Sequence, residues 1–374
     1  MELINREYNR QKCYYYIIKK ISVLLNIHNK RQLYEHKNII ERFVLEMIND
    51  GIMTDSLGSW LFFNDKLASA NVLLNEPIFI KLLGEYSEKK IHVPEIMKER
   101  IAQIITSSHY YFLNSRQATD GIPQCKIKIY SNHVILRYQE YYKYLSKTRY
   151  KMLDKGETTS FALFKMIMRY SLFDNSGQQW SIGDNIYSLM IDDFKIGLEM
   201  FASPLNYTIP KYCSLFLDTD EAFGSIGSFF NLTSEILISS GIHGALFNPP
   251  YLPLLMNRAT SKLLSIMSEC VEADHELNIV AFLPAWYDSY FMTALNESPY
   301  LVCNRLIRRG EYYLKQRHDD SVMISNFDIS LVVLNTRNLE NEQRCEKIGK
   351  IKNVVDTMRS EITTDRRETP FQSS

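Results

Sequence analysis

Apolar residues recur at helical spacing through the first third of the chain. Ile39, Ile40, Phe43, Val44, Met47 and Ile48 fall on one helix face, and Gly51 follows where a C-terminus is expected. Ile96 to Phe112 repeats the pattern, so residues 1 to about 115 are expected to be helical. At Lys126 the pattern changes. Lys126 to Tyr130 and Val134 to Leu136 alternate or run apolar around Ser131-Asn132-His133, which predicts a hairpin. Tyr138 to Leu153 is dense in Tyr, Lys and Arg. It reads equally as a solvated helix face or as a basic-aromatic strip for RNA. Phe161 to Phe173 predicts another helix. From Lys195 strand-like runs appear at Ile196 to Leu198, Leu215 to Leu217, Gly244 to Phe247, Leu277 to Leu283 and Ile329 to Leu334. Helical stretches separate some of them, notably Leu252 to Cys270, and this is the rhythm of a doubly wound sheet. After Asn335 the chain turns polar. One helix is expected over 341–357 and a disordered tail from Glu361. The expected division is a helical domain (1–120), an α/β domain (121–340, core 195–335) and a C-terminal helix with its tail (341–374).

Composition narrows the classes. Of 374 residues 45% are apolar, enough for two domains, and 43 basic residues balance 43 acidic ones. Global charge therefore does not announce nucleic acid, and any basic surface must be local. One local cluster is Arg305, Arg308, Arg309, Lys315 and Arg317. The six cysteines form no CxxC pair, so neither a metal site nor a disulfide framework is expected, and a reduced intracellular setting fits. The polar N-terminus argues against a secretory signal, and no apolar run reaches membrane-spanning length, so no membrane partner is expected. The richness in Tyr, Ile, Asn and Lys resembles AT-biased coding, as in some large DNA viruses or protists.

Candidate chemistry sits where the run Gly244 to Phe247 ends in Asn248-Pro249-Pro250-Tyr251. An exocyclic amine such as adenine N6 is a weak nucleophile, because its lone pair is delocalised into the ring. An enzyme must hold its two hydrogens and point the nitrogen at a methyl group. Asn248 offers a side-chain carbonyl and Pro249 a backbone one. The prolines stiffen the turn and remove two competing donors. Tyr251 offers a stacking face. The plain alternative is a Pro-Pro turn. A strand before the tetrad and a helix after it raise the catalytic reading, because open α/β sheets bind ligands at strand carboxyl ends.

A methyl donor needs its own site. Glu199, at a strand end, leads into Phe201-Ala202-Ser203-Pro204-Leu205-Asn206, where small residues let backbone approach a ligand. Asp218-Thr219-Asp220 offers carboxylates for ribose hydroxyls, or else a capped turn. Phe223-Gly224-Ser225 could wall an adenine. The glycine-rich signature of many such enzymes is absent.

Taken in order, Phe201 to Asn206, Tyr212-Cys213-Ser214, Asp218 to Asp220, Phe223 to Ser225, Asn248 to Pro250 and Phe282-Leu283-Pro284-Ala285-Trp286 resemble the cap-specific adenosine N6-methyltransferases, the family of the phosphorylated-CTD-interacting factor with a WW domain. The likeness runs from about Lys126 to Asn335 and is strongest from Glu199 to Trp286. It implies a Rossmann-like class I S-adenosylmethionine-dependent methyltransferase domain behind a helical domain. It implies N6-methylation of the 2′-O-methylated adenosine next to the cap of mRNA. S-adenosylmethionine would be held by Glu199, Phe201, Ala202, Ser203, Pro204, Asn206, Asp218, Asp220, Phe223 and Gly224. The catalytic residues would be Asn248, Pro249, Pro250 and Tyr251. Substrate contacts are expected from Pro284, Trp286, Arg308, Arg309 and Arg317. Partners would be the capped mRNA 5′ end and RNA polymerase or the capping machinery. The location would be nuclear, or cytoplasmic for a viral source. Tyr251 stands where the animal enzymes carry Phe and keeps the stacking face. The three dispersed tryptophans do not read as a WW domain. Other readings of the tetrad are an adenine methyltransferase on other RNA or DNA, a protein glutamine N5-methyltransferase, and a catalytically vestigial binding module.

Overall fold

The computed structural model describes residues 2–49, 70–115, 125–138, 141–154, 157–173, 179–337 and 339–368. Gly51 and the last six residues, named above as a helix end and part of a disordered tail, lie outside these. The chain divides into two compact units, 1–178 and 179–374. Residues 121–178, expected with the second domain, thus group with the first.

The first unit opens with helices α1 (Glu2–Leu24), α2 (Lys30–Asn49), α3 (Ala70–Leu74), α4 (Pro77–Glu88) and α5 (Glu95–Ser115). The apolar stripe of α2 is buried at Ile39, Ile40, Phe43, Val44, Met47 and Ile48, as its spacing predicts. An antiparallel sheet follows, β1 (Cys125–Ile129), β2 (His133–Tyr138) and β3 (Tyr141–Ser146). The first two strands are the expected hairpin. The third lies inside the stretch whose alternative was a helix face. Helices α6 (Lys147–Leu153) and α7 (Glu157–Tyr170) complete the unit. Ser146 caps α6 by accepting from Arg149 N.

The second unit runs β4 (Trp180–Ser181), α8 (Asp184–Phe194), β5 (Leu198–Glu199), α9 (Leu217–Asp220), α10 (Ser234–Ser239), β6 (Gly244–Phe247), α11 (Pro253–Glu272), β7 (Asn278–Pro284), α12 (Tyr290–Asn296), β8 (Leu301–Ile307), β9 (Tyr313–Gln316), β10 (Val322–Ile324), β11 (Ile329–Asn335) and α13 (Asn341–Glu368). Five strands form one mixed sheet in the order β5-β6-β7-β11-β8. The first three are parallel, and β11 is antiparallel to both its neighbours. Beyond β5 the parallel pattern continues through single bridges, Glu199 to Tyr212 and Tyr212 to Ser225. Alternate residues of β7 serve two cores. Ile279, Ala281 and Leu283 join Leu263, Ile266 and Met267 of α11. Val280 and Phe282 join Met190 of α8 and Val354 of α13. Helices therefore cover both faces, which is why these strands read as continuous apolar runs.

Three expectations change. Leu215 to Leu217 is not a strand. Phe216 O accepts from Thr219 N and Asp220 N, so the apolar run feeds the helical turn α9. Residues 361–368, expected in the disordered tail, continue α13, with Ile351, Val354, Met358 and Ile362 buried on one face. Finally, β8 and β9 carry Arg305 and Lys315, read only as members of a basic cluster, and β10 is not among the expected elements. Their half-exposed pattern hides them from an apolar-run criterion. No helix among the described residues is long and apolar enough to cross a membrane.

Candidate active site

The parallel strands β5, β6 and β7 end on one edge of the sheet. Met200 N donates to Leu246 O (2.9 Å), so the segments starting at Phe201 and Asn248 leave neighbouring strands. The sheet register adds the flanks. Ile329 faces Pro284 on one side and Ile307 on the other, which brings Trp286, Asp328, Arg308 and Arg309 to the same edge.

Gly244 lets β6 sit where it does. A Cβ there would lie 2.4 Å from Phe194 O and 2.7 Å from Lys195 O, at the end of α8 where Lys195 turns left-handed (φ 56°). Only glycine admits that approach. Four residues on, Asn248 is half-buried, and its side-chain amide has no hydrogen-bond partner among the described residues. The Pro249 carbonyl accepts no backbone hydrogen bond among them, whereas Pro250 O accepts from Leu252 N (2.7 Å) and closes the turn into α11. Tyr251 is half-buried, its ring edge-on to Phe327 (5.7 Å, 88°) and its hydroxyl 3.4 Å from Phe282 O. Burial pushes that phenol far above its usual range, so it stays protonated.

The segment after β5 is the opposite. Glu199 is buried and its carboxylate is occupied. It accepts from Thr208 N, from Ile209 N (2.7 Å) and from Tyr187 OH (2.9 Å). Burial nonetheless raises its pKa above the usual carboxylate range, against the lowering effect of those bonds. Ser203 and Asn206 build their own turn. Asn206 Oδ1 accepts from Ser203 N (2.7 Å), and Ser203 Oγ donates to Gln179 Oε1 (2.7 Å). Pro204 is buried, while Phe201 and Ala202 are half-exposed. The Phe201 ring leans on Phe229 (4.7 Å) and Phe247 (5.6 Å), the last residue of β6. Cys213 N donates to Glu199 O and Ala202 N to Cys213 O, so the next segment is laced to β5. The Cys213 thiol is pushed up to about 12 by burial and is unreactive.

Asp218 is exposed on α9, whereas Asp220 is buried and accepts from Thr219 Oγ1 (2.8 Å). Phe223 is buried, and Gly224 holds a left-handed turn (φ 102°) with Pro210 O 3.2 Å from any added Cβ. Pro284 is buried in the sheet, and Trp286 just beyond it is exposed, its ring edge-on to Phe291 (6.1 Å). Arg308 and Arg309 are exposed; their backbone N–H groups donate to Glu311 and Asp328, and Arg308 O accepts from Glu311 N. Arg317 does not join them. Its guanidinium is buried against Asp184, donates to Ile182 O (3.1 Å) and covers the Tyr187 ring (4.9 Å). It acts inward, on the residue that bonds Glu199. Two residues of this site escape a sequence reading. Tyr187 and Gln179 look like ordinary helix and loop residues, and no local pattern marks their partners Glu199 and Ser203. Exposed Tyr287 and Tyr290 could have been found by their spacing from Trp286. Among the described residues no group of His, Cys, Asp or Glu could hold a metal ion.

Comparison with known proteins gives a family match and two curated relatives. Residues 137–316 match the family model described as "Phosphorylated CTD interacting factor 1 WW domain". The chain is 32% identical over 123 residues to the "mRNA (2'-O-methyladenosine-N(6)-)-methyltransferase" of Mus musculus, covering 33% of this chain and 16% of the mouse protein. It is 29% identical over 182 residues to the Homo sapiens protein of the same name, covering 44% of this chain and 25% of the human one. The chain thus spans a quarter or less of the length of these curated relatives. The family match covers residues 137–316, a little under half of the chain.

Proposed function

We propose that the chain is an S-adenosylmethionine-dependent methyltransferase acting on N6 of the (2′-O-methyl)adenosine beside the cap of mRNA. The observation that carries the reading is the unpaired Asn248 amide beside the unclaimed Pro249 carbonyl, at the carboxyl edge of three parallel strands. Buried amides find a partner in the protein or in ordered water, and a half-buried one within reach of solvent can exchange water for a ligand. One held open on a proline-stiffened turn fits a ligand that supplies two N–H groups.

The topology supports a Rossmann-like class I fold. Numbered along the chain from β5, with the Tyr212 and Ser225 bridges as the second and third strands, the order is 3-2-1-4-5-7-6. The stretch 3-2-1-4-5 is the doubly wound order, which binds ligands where the order reverses, here between β5 and β6. The segments beginning at Phe201 and Asn248 flank that crevice. The half-exposed Phe201-Ala202 backbone and exposed Asp218 fit a nucleoside-bearing donor, with Glu199, Ser203, Asn206 and Asp220 holding the loops that present them. When bound, S-adenosylmethionine supplies an electrophilic methyl group. Asn248 Oδ1 and Pro249 O accept the two amine hydrogens and orient the nitrogen, and Tyr251 packs beside the base. Tyr251, locked protonated, is no general base, so the contribution is orientation and electrostatic preorganisation. Trp286, Arg308 and Arg309 meet the cap and its phosphates. Nuclear action beside RNA polymerase or the capping machinery accompanies this reading, with the cytoplasm as the site for a viral source.

Mass spectrometry of digested RNA after incubation with donor tests it. Capped RNA beginning with 2′-O-methyladenosine should gain one methyl at N6, and uncapped RNA should not. Equal methylation of both sinks cap specificity, and methylated glutamine instead of adenine sinks the substrate class. No donor binding by calorimetry leaves only a vestigial binding module.

A further inference from the structure

The antiparallel sheet of the first unit has two unlike faces. Register puts Val134 opposite Leu145 and both opposite the core, and these two with Leu136 are buried. The other face is open. Lys126 lies across from Arg137 and Lys128 across from Ile135, which in turn faces Tyr144. Tyr130 N closes the hairpin on His133 O, and its ring stacks on the His133 ring (4.7 Å, 11°). Tyr144 tilts against the other side of that imidazole (5.8 Å, 48°). Tyr130 and Tyr144 are 43% and 49% exposed, well above what a core aromatic shows.

A solvated sheet face normally mixes charge signs or carries neutral polar groups. Here Lys126, Lys128 and Arg137 are all exposed, and no acidic residue shares their face among the described residues. Three adjoining rings cross three strands beside them. Flat rings with cationic neighbours of one sign match single-stranded nucleic acid, whose bases stack on aromatics while its phosphates meet Lys and Arg. The neutral net charge of the whole chain makes this local excess informative.

We infer that the open face of β1-β2-β3 is a docking track for single-stranded RNA. Bases stack on the Tyr130-His133-Tyr144 column, and phosphates lie along Lys126 and Lys128. The inference rests on the proposed function only in choosing RNA over single-stranded DNA.

Fluorescence anisotropy with the full chain and an uncapped 12-nucleotide single-stranded RNA, read across salt, tests it. Lys126→Glu/Lys128→Glu should weaken binding at least about tenfold and lower the log–log salt slope by about 1.4. Tyr130→Ser/Tyr144→Ser should weaken it at least about thirtyfold with the slope unchanged, since stacking releases no counterions. Both pairs are surface changes, so thermal midpoints should hold, and methylation of a capped dinucleotide should persist. Wild-type affinity in both pairs overturns the inference. So does duplex RNA bound as tightly as single-stranded RNA, or a loss confined to binding of a phosphorylated peptide. If methylation is never seen but RNA binding responds to both pairs, the track stands and the enzymatic reading falls.

Discussion

The segments that follow β5 and β6 start side by side on one sheet edge and spend their polar groups in opposite ways. After β5, Glu199, Ser203 and Asn206 turn their side chains onto their own backbone and onto Tyr187 and Gln179. After β6, two prolines delete donors next to Asn248 and the Pro249 carbonyl, and both acceptors stay open among the described residues. One loop is a self-braced wall and the other a rigid hand. Function residues chosen by chemical type alone would treat Glu199 and Asn248 as equals. Their partners separate them.

The sharpest way to break the contrast is Asn248→Ala. The side chain braces nothing, so the fold should keep its denaturation midpoint while methyl transfer falls about 10²–10³-fold, the cost typical of one preorganised polar contact. A large loss of stability with little loss of rate would reverse the roles assigned to the two loops.

Glu199→Ala should do the reverse. It leaves three donors unpaired, two of them buried, and at ~1–3 kcal/mol for each buried unsatisfied group the unfolding free energy should drop by about 2 kcal/mol or more in urea titration. Glu199→Gln keeps one carbonyl acceptor and should lose less. It also isolates the charge. The folded-state pKa of Glu199 is raised, so the folded protein holds this proton more tightly than the unfolded chain does. Its contribution is therefore fully present below the ordinary value of 4.5 and is lost as pH rises through the folded value. Relative to Glu199→Gln, the native protein should weaken with rising pH across that window. A difference of the opposite sign would mean that the three hydrogen bonds outweigh burial.

Gly244→Ala probes the shared foundation. The added Cβ meets backbone oxygens of α8 that no rotamer change can clear. Strand β6 must shift, at about 1–3 kcal/mol by the usual cost of overpacking. Because β6 leads directly into Asn248, activity should fall together with stability, unlike either loop substitution. An unchanged denaturation curve would show that the end of α8 yields instead.

This pattern of partners also explains what was legible in the sequence. Strands β6, β7 and β11 are buried on both faces, so they stand out as apolar runs, and the Pro-Pro turn announces the end of β6. Strand β8 was hidden because Arg305 and Leu306 face solvent. Leu215 to Leu217 misled because its apolar residues serve a helical turn. At the site, Asn248 could be read locally, since what matters about it is a lack of partners enforced by its two neighbours. Glu199 and Arg317 could not. Arg317 meets Asp184 from 133 residues away, and only the folded chain shows that a member of a basic cluster points inward.

The smallest effect separates bracing from catalysis most cleanly. Tyr187 bonds Glu199 with its hydroxyl and carries the Arg317 guanidinium on its ring face. Tyr187→Phe deletes the bond and keeps the ring. Glu199 retains its two backbone donors, so the loss should be about 0.5–1.5 kcal/mol, the net value of one hydrogen bond. The hydroxyl reaches no reacting atom in the proposed chemistry. If Glu199 only braces the wall, donor affinity should weaken slightly through a looser loop while kcat at saturating donor stays unchanged. A fall in kcat equal to that in kcat/KM would mean that the Tyr187–Glu199 pair is felt in the transition state, and the division between wall and hand would then be wrong.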